Sequence, residues 1–289
     1  MSDDAQVYLV PDEDPEMRRA NEEARKTFRY FWRELSWERR RIVPGLDLAC
    51  VKVPFSDPPE LRDGQEEDGS GVEQMWLSDV DFDGHVIRGT LINSPQWLQS
   101  IQEGDEAEVP LEGISDWMYA IQGKVYGAYT VNLIRSRMGR GERRQHDDAW
   151  GLDFGDPEVI DVVPPEWLGQ KPKRGFLGRL FGGGQSEAPK DLETTEHPMA
   201  ENMAESLEEF LQSDPENIHA TDDRGWTMLH QQALAGSAIG VSLLLKHGAD
   251  MRAKTDNGMT PYQLAKVLRW KAVGRVLKAH AEKLKAGEG

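Results

Sequence analysis

The sequence predicts an α+β unit, in which an N-terminal helix packs on an antiparallel sheet, followed by a C-terminal all-α repeat array. Three observations carry that prediction. Between Pro15 and Trp37 apolar residues recur at spacings of three and four. Between Leu46 and Val163 the chain breaks into short runs rich in valine, isoleucine and aromatics, parted by turn residues. Further on, a stretch beginning at Asp223 recurs at Asp256, a period of 33 residues, and each copy leads into an amphipathic helical segment. A chain of 289 residues is long enough for two domains of ordinary size.

Asp14 can cap the first helix and Pro15 suits its first position, while Ala20, Ala24, Thr27, Phe28 and Phe31 form one apolar stripe. Arg39 to Arg41 end it as a solvated terminus whose charge suits the helix dipole. The expected strands are Leu48 to Phe55, Met75 to Val80, His85 to Leu91, Ala107 to Pro110, Ile114 to Gln122 and Val125 to Ile134. Asp83-Gly84 and Gln122-Gly123-Lys124 read as hairpin connections. Asp63 to Gly71 reads as an acidic surface loop, and Pro95, Trp97, Leu98 and Ile101 as one short helix or turn. From Gln170 to Pro198 periodicity fades into a linker rich in glycine and proline. Inside it, residues 171–181 form a basic and apolar patch about two helical turns long. That is too short to anchor a protein to a membrane, so packing against its own chain is expected. The expected domains are therefore residues 11–168, a linker at 169–198, and the repeat array at 199–286.

The formal net charge of −17 disfavours attraction to a phosphate backbone, so nucleic acid is not an expected partner. Past Met251 the balance reverses locally, with Arg252, Lys254, Lys266, Arg269, Lys271, Arg275, Lys278, Lys283 and Lys285. The single cysteine, Cys50, permits no intramolecular disulfide and no site of several thiolates, which fits a reducing compartment. It sits in an apolar strand run and reads as a buried small hydrophobe. The N-terminus is acidic, lacks the pattern of a signal peptide, and no stretch is long enough to span a bilayer. A cytoplasmic protein is expected.

In the repeat, Asp223-Arg224-Gly225-Trp226-Thr227-Met228-Leu229-His230 is matched by Asp256-Asn257-Gly258-Met259-Thr260-Pro261-Tyr262-Gln263. The first copy continues through Ala233, Gly236 and Leu243-Leu244-Leu245 to His247-Gly248-Ala249-Asp250. In period, in the threonine-led slot and in the leucine run closing on glycine-alanine-aspartate, this resembles the ankyrin repeat. The positions serve the architecture. Threonine caps the first helix, small residues let paired helices approach, and glycine ends helices in the left-handed region. His230 is expected to hydrogen-bond within and between repeats, and His247 to sit at a helix end. Met228 and Gln263 depart from the usual proline and histidine, and the second copy drifts into a lysine-rich tail, as a terminal cap does. Met203, Leu207, Phe210, Leu211, Asp214-Pro215 and Ile218 look like the back half of an earlier, degenerate repeat. About two and a half units are too few to bury a core alone, so the array is expected to lean on the N-terminal domain or on another chain.

The helix, Val51-Lys52-Val53-Pro54-Phe55, Met75-Trp76-Leu77, Gly89 to Asn93, Gly104-Asp105, Ser115-Asp116-Trp117-Met118-Tyr119 and Gly127 to Thr130 resemble the bacterial YegJ-like family, domain of unknown function 2314. The likeness implies a bacterial origin and a compact α+β domain, and no activity. By strand alternation Trp117 and Tyr119 share one face and Asp116 and Met118 the other. Trp97, Trp117, Tyr119 and Tyr129 with Asp116 form a candidate ligand surface, for which core packing and a structural Asp116 are the favoured readings. Glu142, His146, Asp147 and Asp148, with His85 as a distant third partner, invite a metal hypothesis. Gly139 and Gly141 instead favour a solvated charged loop, and neither metal nor cofactor is expected.

Function is accordingly expected to be non-enzymatic protein binding, as an adaptor or scaffold, through fingers carrying Arg224, Trp226, Asn257 and Met259. An immunity or antitoxin-like role, with an acidic protein masking a basic one, is a variant. A ligand-binding or enzymatic N-terminal domain around Asp116 is the alternative.

Overall fold

The computed structural model describes residues 14–61, 71–168 and 192–287. The expected loop at 63–71, apart from Gly71, and the basic patch at 171–181 lie outside the described residues. The described residues divide into two compact units: those up to residue 31 with those from 41 to 162, and residues 32–40 with those from 163 onward.

Helix α1 (Pro15–Glu38), which gives its residues up to Phe31 to the first unit and those from Trp32 to the second, begins under Asp14, whose carboxylate accepts the Glu16 amide at 2.9 Å. Its stripe residues Ala24, Phe28 and Phe31 are fully buried. Six strands follow: β1 (Leu48–Ser56), β2 (Val72–Phe82), β3 (Val86–Leu91), β4 (Glu106–Pro110), β5 (Asp116–Ile121) and β6 (Lys124–Gly127). They form one antiparallel sheet in the order β4-β3-β2-β1-β5-β6. Both expected hairpins are present; in the first, the Asp83 carboxylate accepts the His85 and Val86 amides at 2.9 Å.

The expected strand from Val125 to Ile134 stops at Gly127. There the backbone turns left-handed, at φ +79 for Gly127 and +57 for Ala128, and the chain enters helix α2 (Tyr129–Arg137). A β-carbon on Gly127 would stand 2.5 Å from the Trp117 ring, so only glycine fits. Helix α3 (Arg140–Trp150) follows where a loop was expected. Gly139 precedes this helix and Gly141 sits in its exposed first turn, so neither interrupts it, and the Glu142 carboxylate reaches back to the Gly139 amide at 3.3 Å.

The segment around Trp97 is an irregular turn whose amides converge on two carboxylates. Those of Gln96, Trp97 and Leu98 donate to Glu73, and those of Gln99 and Ser100 to Asp57. Both acids are buried, and their charge is met by this ring of N–H groups.

The second unit contains helices α4 (Pro198–Asn202), α5 (Ala204–Ser213), α6 (Met228–Ala235), α7 (Ala238–Lys246), α8 (Pro261–Val267) and α9 (Lys271–Ala286). They stack as pairs, α6 with α7 and α8 with α9, and α5 lies on α7. The degenerate leading repeat is thus a pair with a shortened first helix, and Ala200, Leu211 and Ile218 are its buried apolar residues. Among the described residues no helix is long and apolar enough to cross a membrane.

Candidate functional site

The aromatic set of the first unit is a core. Trp117 and Tyr119 are fully buried, stacked with centroids 6.1 Å apart, and Phe31 of α1 lies 5.8 Å from Trp117. The Trp117 indole N–H donates to the Ala24 carbonyl at 2.8 Å and the Tyr119 hydroxyl to that of Val162 at 3.0 Å. Tyr126 and Tyr129 join the set, at 5.0 Å from Tyr119 and 6.0 Å from Trp117. Trp97 lies in its own turn and makes no ring contact with these residues among those described.

Asp116, on the opposite face of β5, is wholly buried. Its carboxylate accepts the amides of Trp117, Tyr129 and Thr130 at 2.8, 3.0 and 2.7 Å, and the Thr130 hydroxyl at 2.6 Å. It therefore caps α2 across the sheet, which is the structural role. Burial pushes its carboxyl above the usual range, against the Thr130 hydroxyl, Lys52 and the amides, which favour the charged form.

Lys52 is the neighbour sequence reasoning passed over. Residues 50 and 52 of β1, Trp76 of β2 and Asp116 and Met118 of β5 share one sheet face, since Lys52 pairs with both Trp76 and Asp116. The Lys52 ammonium lies 3.4 Å from the Thr130 hydroxyl and 5.6 Å from the Trp76 ring centre. Burial holds its amine below the usual value, partly offset by Asp116. The Cys50 thiol is buried and pushed well up by the same burial, which makes it inert.

The Glu142 to Asp148 set is taken up by packing. Asp147 receives both ends of the buried Arg135 guanidinium at 2.8 and 2.7 Å, and His146 Nδ1 lies 2.9 Å from Asp147. The His146 ring packs on Trp150 and Phe154. Among the described residues no three histidine, cysteine or acidic side chains gather as a metal-holding group.

In the second unit the repeat positions interlock. Thr227 opens α6, and its amide and hydroxyl meet His230 Nδ1 at 3.1 and 2.8 Å. His230 Nε2 then faces the Ala253 carbonyl of the next finger at 3.0 Å. With Nδ1 accepting and Nε2 donating, the ring is neutral, and burial keeps its pKa below the usual histidine value. Thr260 and Gln263 repeat the inner half of this arrangement at 2.9 and 3.3 Å. Neighbouring fingers join where the Asp256 amide donates to the Arg224 carbonyl at 3.1 Å.

A protein of Neisseria meningitidis serogroup B, named as an ankyrin repeat protein, is 40% identical to this chain over 277 residues, 96% of this chain and 98% of that protein. The chain belongs to this ankyrin repeat family. Residues 14–154 match the family described as "Uncharacterized protein conserved in bacteria (DUF2314)". YegJ of Escherichia coli K12 is 35% identical over 88 residues, 30% of this chain and 50% of that protein. The 2-5A-dependent ribonuclease of Mus musculus is 37% identical over 59 residues, 20% of this chain and 8% of that protein.

The ankyrin fingers correct one expectation. Trp226 and Met259 are not exposed contact residues: they are 5% and 9% exposed. Each precedes a capping threonine, where an apolar side chain folds back onto the helix's first turn; Trp226 packs against His230, 6.1 Å between rings. Arg224 and Asn257 are exposed at the tips, with the Arg224 guanidinium 5.5 Å above the Trp226 ring.

His247 does end a helix, and its Nε2 lies 3.1 Å from Glu208, which also takes Lys246 at 2.7 Å. Unforeseen is the buried pair of Glu34 and His197, 3.0 Å apart, with His197 stacked on Trp37 and met edge-on by Trp167. The partners are so far apart in sequence that no local pattern signals them. Arg40, expected to be solvated, instead lies 4.7 Å over Trp37, and burial lowers it to about 10.

Proposed function

We propose that this ankyrin repeat protein is a non-enzymatic, protein-binding adaptor of the bacterial cytoplasm, with its partner surface on the finger tips around Arg224 and Asn257. The observation that carries the reading is the division of labour within the repeats. Thr227, His230, Thr260, Gln263, Trp226 and Met259 are taken up in capping and packing. The side chains of Asp223, Arg224, Asp256 and Asn257 stand exposed on a rigid row of turns. A rigid row of polar side chains backed by buried anchors binds without the entropy cost of ordering a loop.

The test is affinity capture from the source bacterium with wild-type protein and with Arg224→Glu and Asn257→Lys combined, read by mass spectrometry and followed by calorimetry on the captured protein. The expected result is one protein retained by wild type and weakened at least about tenfold by the pair of changes, a loss of about 1.4 kcal/mol. Retention of nothing specific by wild type, or retention indifferent to both tips, would overturn the reading.

A further inference from the structure

The adaptor reading leaves the Lys52 face of the sheet unused. Beside Lys52 and the buried Asp116 this face is apolar: Cys50, Trp76 and Met118 pack with Val125, Ala128, Val131 and Phe154. Lys52 makes no ion pair among the described residues. The one carboxylate beside it, Asp116, already accepts four hydrogen bonds, about as many as its oxygens can take. Of the three donors of an ammonium, Lys52 places one, on the Thr130 hydroxyl at 3.4 Å. Trp76 offers its ring face at 5.6 Å. A charge held on these terms is incompletely compensated, and burial makes the amine less basic than an exposed lysine.

A neutral lysine amine is a nucleophile, and two further features suit that role. Lys52 keeps part of its surface open to solvent. Trp76 beside it is met edge-on by Trp150 at 6.3 Å, and Trp150 is 37% exposed, so aromatic surface runs from near the amine to water. The Thr130 hydroxyl, between Lys52 and Asp116, links the amine to a carboxylate by hydrogen bonds of 3.4 and 2.6 Å.

We propose that Lys52 is a covalent carbonyl-capture site, forming a Schiff base with a small aldehyde that carries a flat apolar body. The Lys52 nitrogen adds its electron pair to the carbonyl carbon, and the carbonyl π pair moves to oxygen. One nitrogen proton passes to that oxygen, for which Thr130 and Asp116 provide the path. The carbinolamine takes up one further proton from solvent, its C–O bond breaks, and the oxygen leaves as water, giving an iminium.

The test uses the full chain, benzaldehyde as probe and cyanoborohydride to trap the imine at pH 7, with peptide mass spectrometry reading each lysine over time. Exposed Lys254 and Lys266 are internal references. Lys52 is expected to be modified at least about tenfold faster than either, since the free base is the form that attacks the carbonyl. That advantage should vanish in denaturing urea. Thr130→Val should slow Lys52 labelling and Thr130→Ser restore it, with far-UV circular dichroism showing both variants folded. Absence of label at Lys52, a rate no faster than the references, or an advantage that survives in urea each overturns the proposal.

Discussion

In the first ankyrin copy, α6 ends on Gly236, left-handed at φ +77; one period of 33 residues later the same position is Arg269, left-handed at φ +57. The backbone asks the same of both, yet only one is glycine. The difference is what lies above. Trp270 sits on Gly236 so closely that a β-carbon there would come within 2.4 Å of the indole, and the Trp270 N–H donates to the Leu234 carbonyl at 2.9 Å. Trp270 therefore closes the end of the helix in the preceding copy. The Arg269 side chain, by contrast, is exposed. The glycine marks stacking of one repeat on another, beyond the demands of the turn.

Breaking this contrast should cost most at its larger partner. Trp270→Ala empties a buried indole site and orphans the Leu234 carbonyl, so a loss of about 3–5 kcal/mol is expected in urea unfolding of the array. Gly236→Ala adds a left-handed penalty of about 1–2 kcal/mol to an overpacking cost of about 1–3 kcal/mol. Its mirror, Arg269→Gly, should stay within about 1 kcal/mol of wild type, on the stabilising side. Equal losses at the two positions would show that the turn alone governs both.

The capping slots sharpen the same comparison. His230 ties its threonine to the next finger, whereas Gln263 serves its own threonine. His230→Gln should cost about 1–2 kcal/mol and should also flatten a pH dependence. The folded protein holds His230 below its unfolded pKa, so the unfolded chain takes up the proton first on acidification. The stabilisation from this residue is complete above about pH 6.5, and it declines as pH falls through the folded value. Thermal unfolding of wild type and His230→Gln from pH 7.5 to 5 should converge toward acid; parallel curves would contradict the neutral, doubly bonded ring.

How far the sequence speaks follows from the range of the signal. Helix α1 and five strands come from periodicity and turn residues, which are local, and the repeat comes from self-similarity. The strand from Val125 to Ile134 failed at Gly127 and Ala128, because β-branched residues serve helix α2 equally once the backbone turns left-handed and Asp116 supplies a cap from another strand. Trp226 and Met259 misled for a related reason: an apolar residue beside a turn glycine looks exposed until the helix it folds onto is in place. Lys52 carried no signal, since a lysine in an alternating strand reads as the solvent face. Its hydroxyl neighbour, Thr130, comes from α2, which begins 77 residues later.

The sheet's two outer strands are protected differently. β6 is covered by its own chain, with the Val125 and Gly127 amides bonded to the Asp153 and Asp161 carbonyls at 2.9 and 2.8 Å. β4 is short, exposes Glu106 and Glu108, and ends on Pro110. A second copy approaching β4 edge-on would bring the same carboxylates against these and find no donor at the proline, so strand-by-strand polymerisation is opposed at one border by charge and at the other by occupancy. Colloidal stability at high concentration is thus built into the sheet's margins, independently of the net charge of the whole chain.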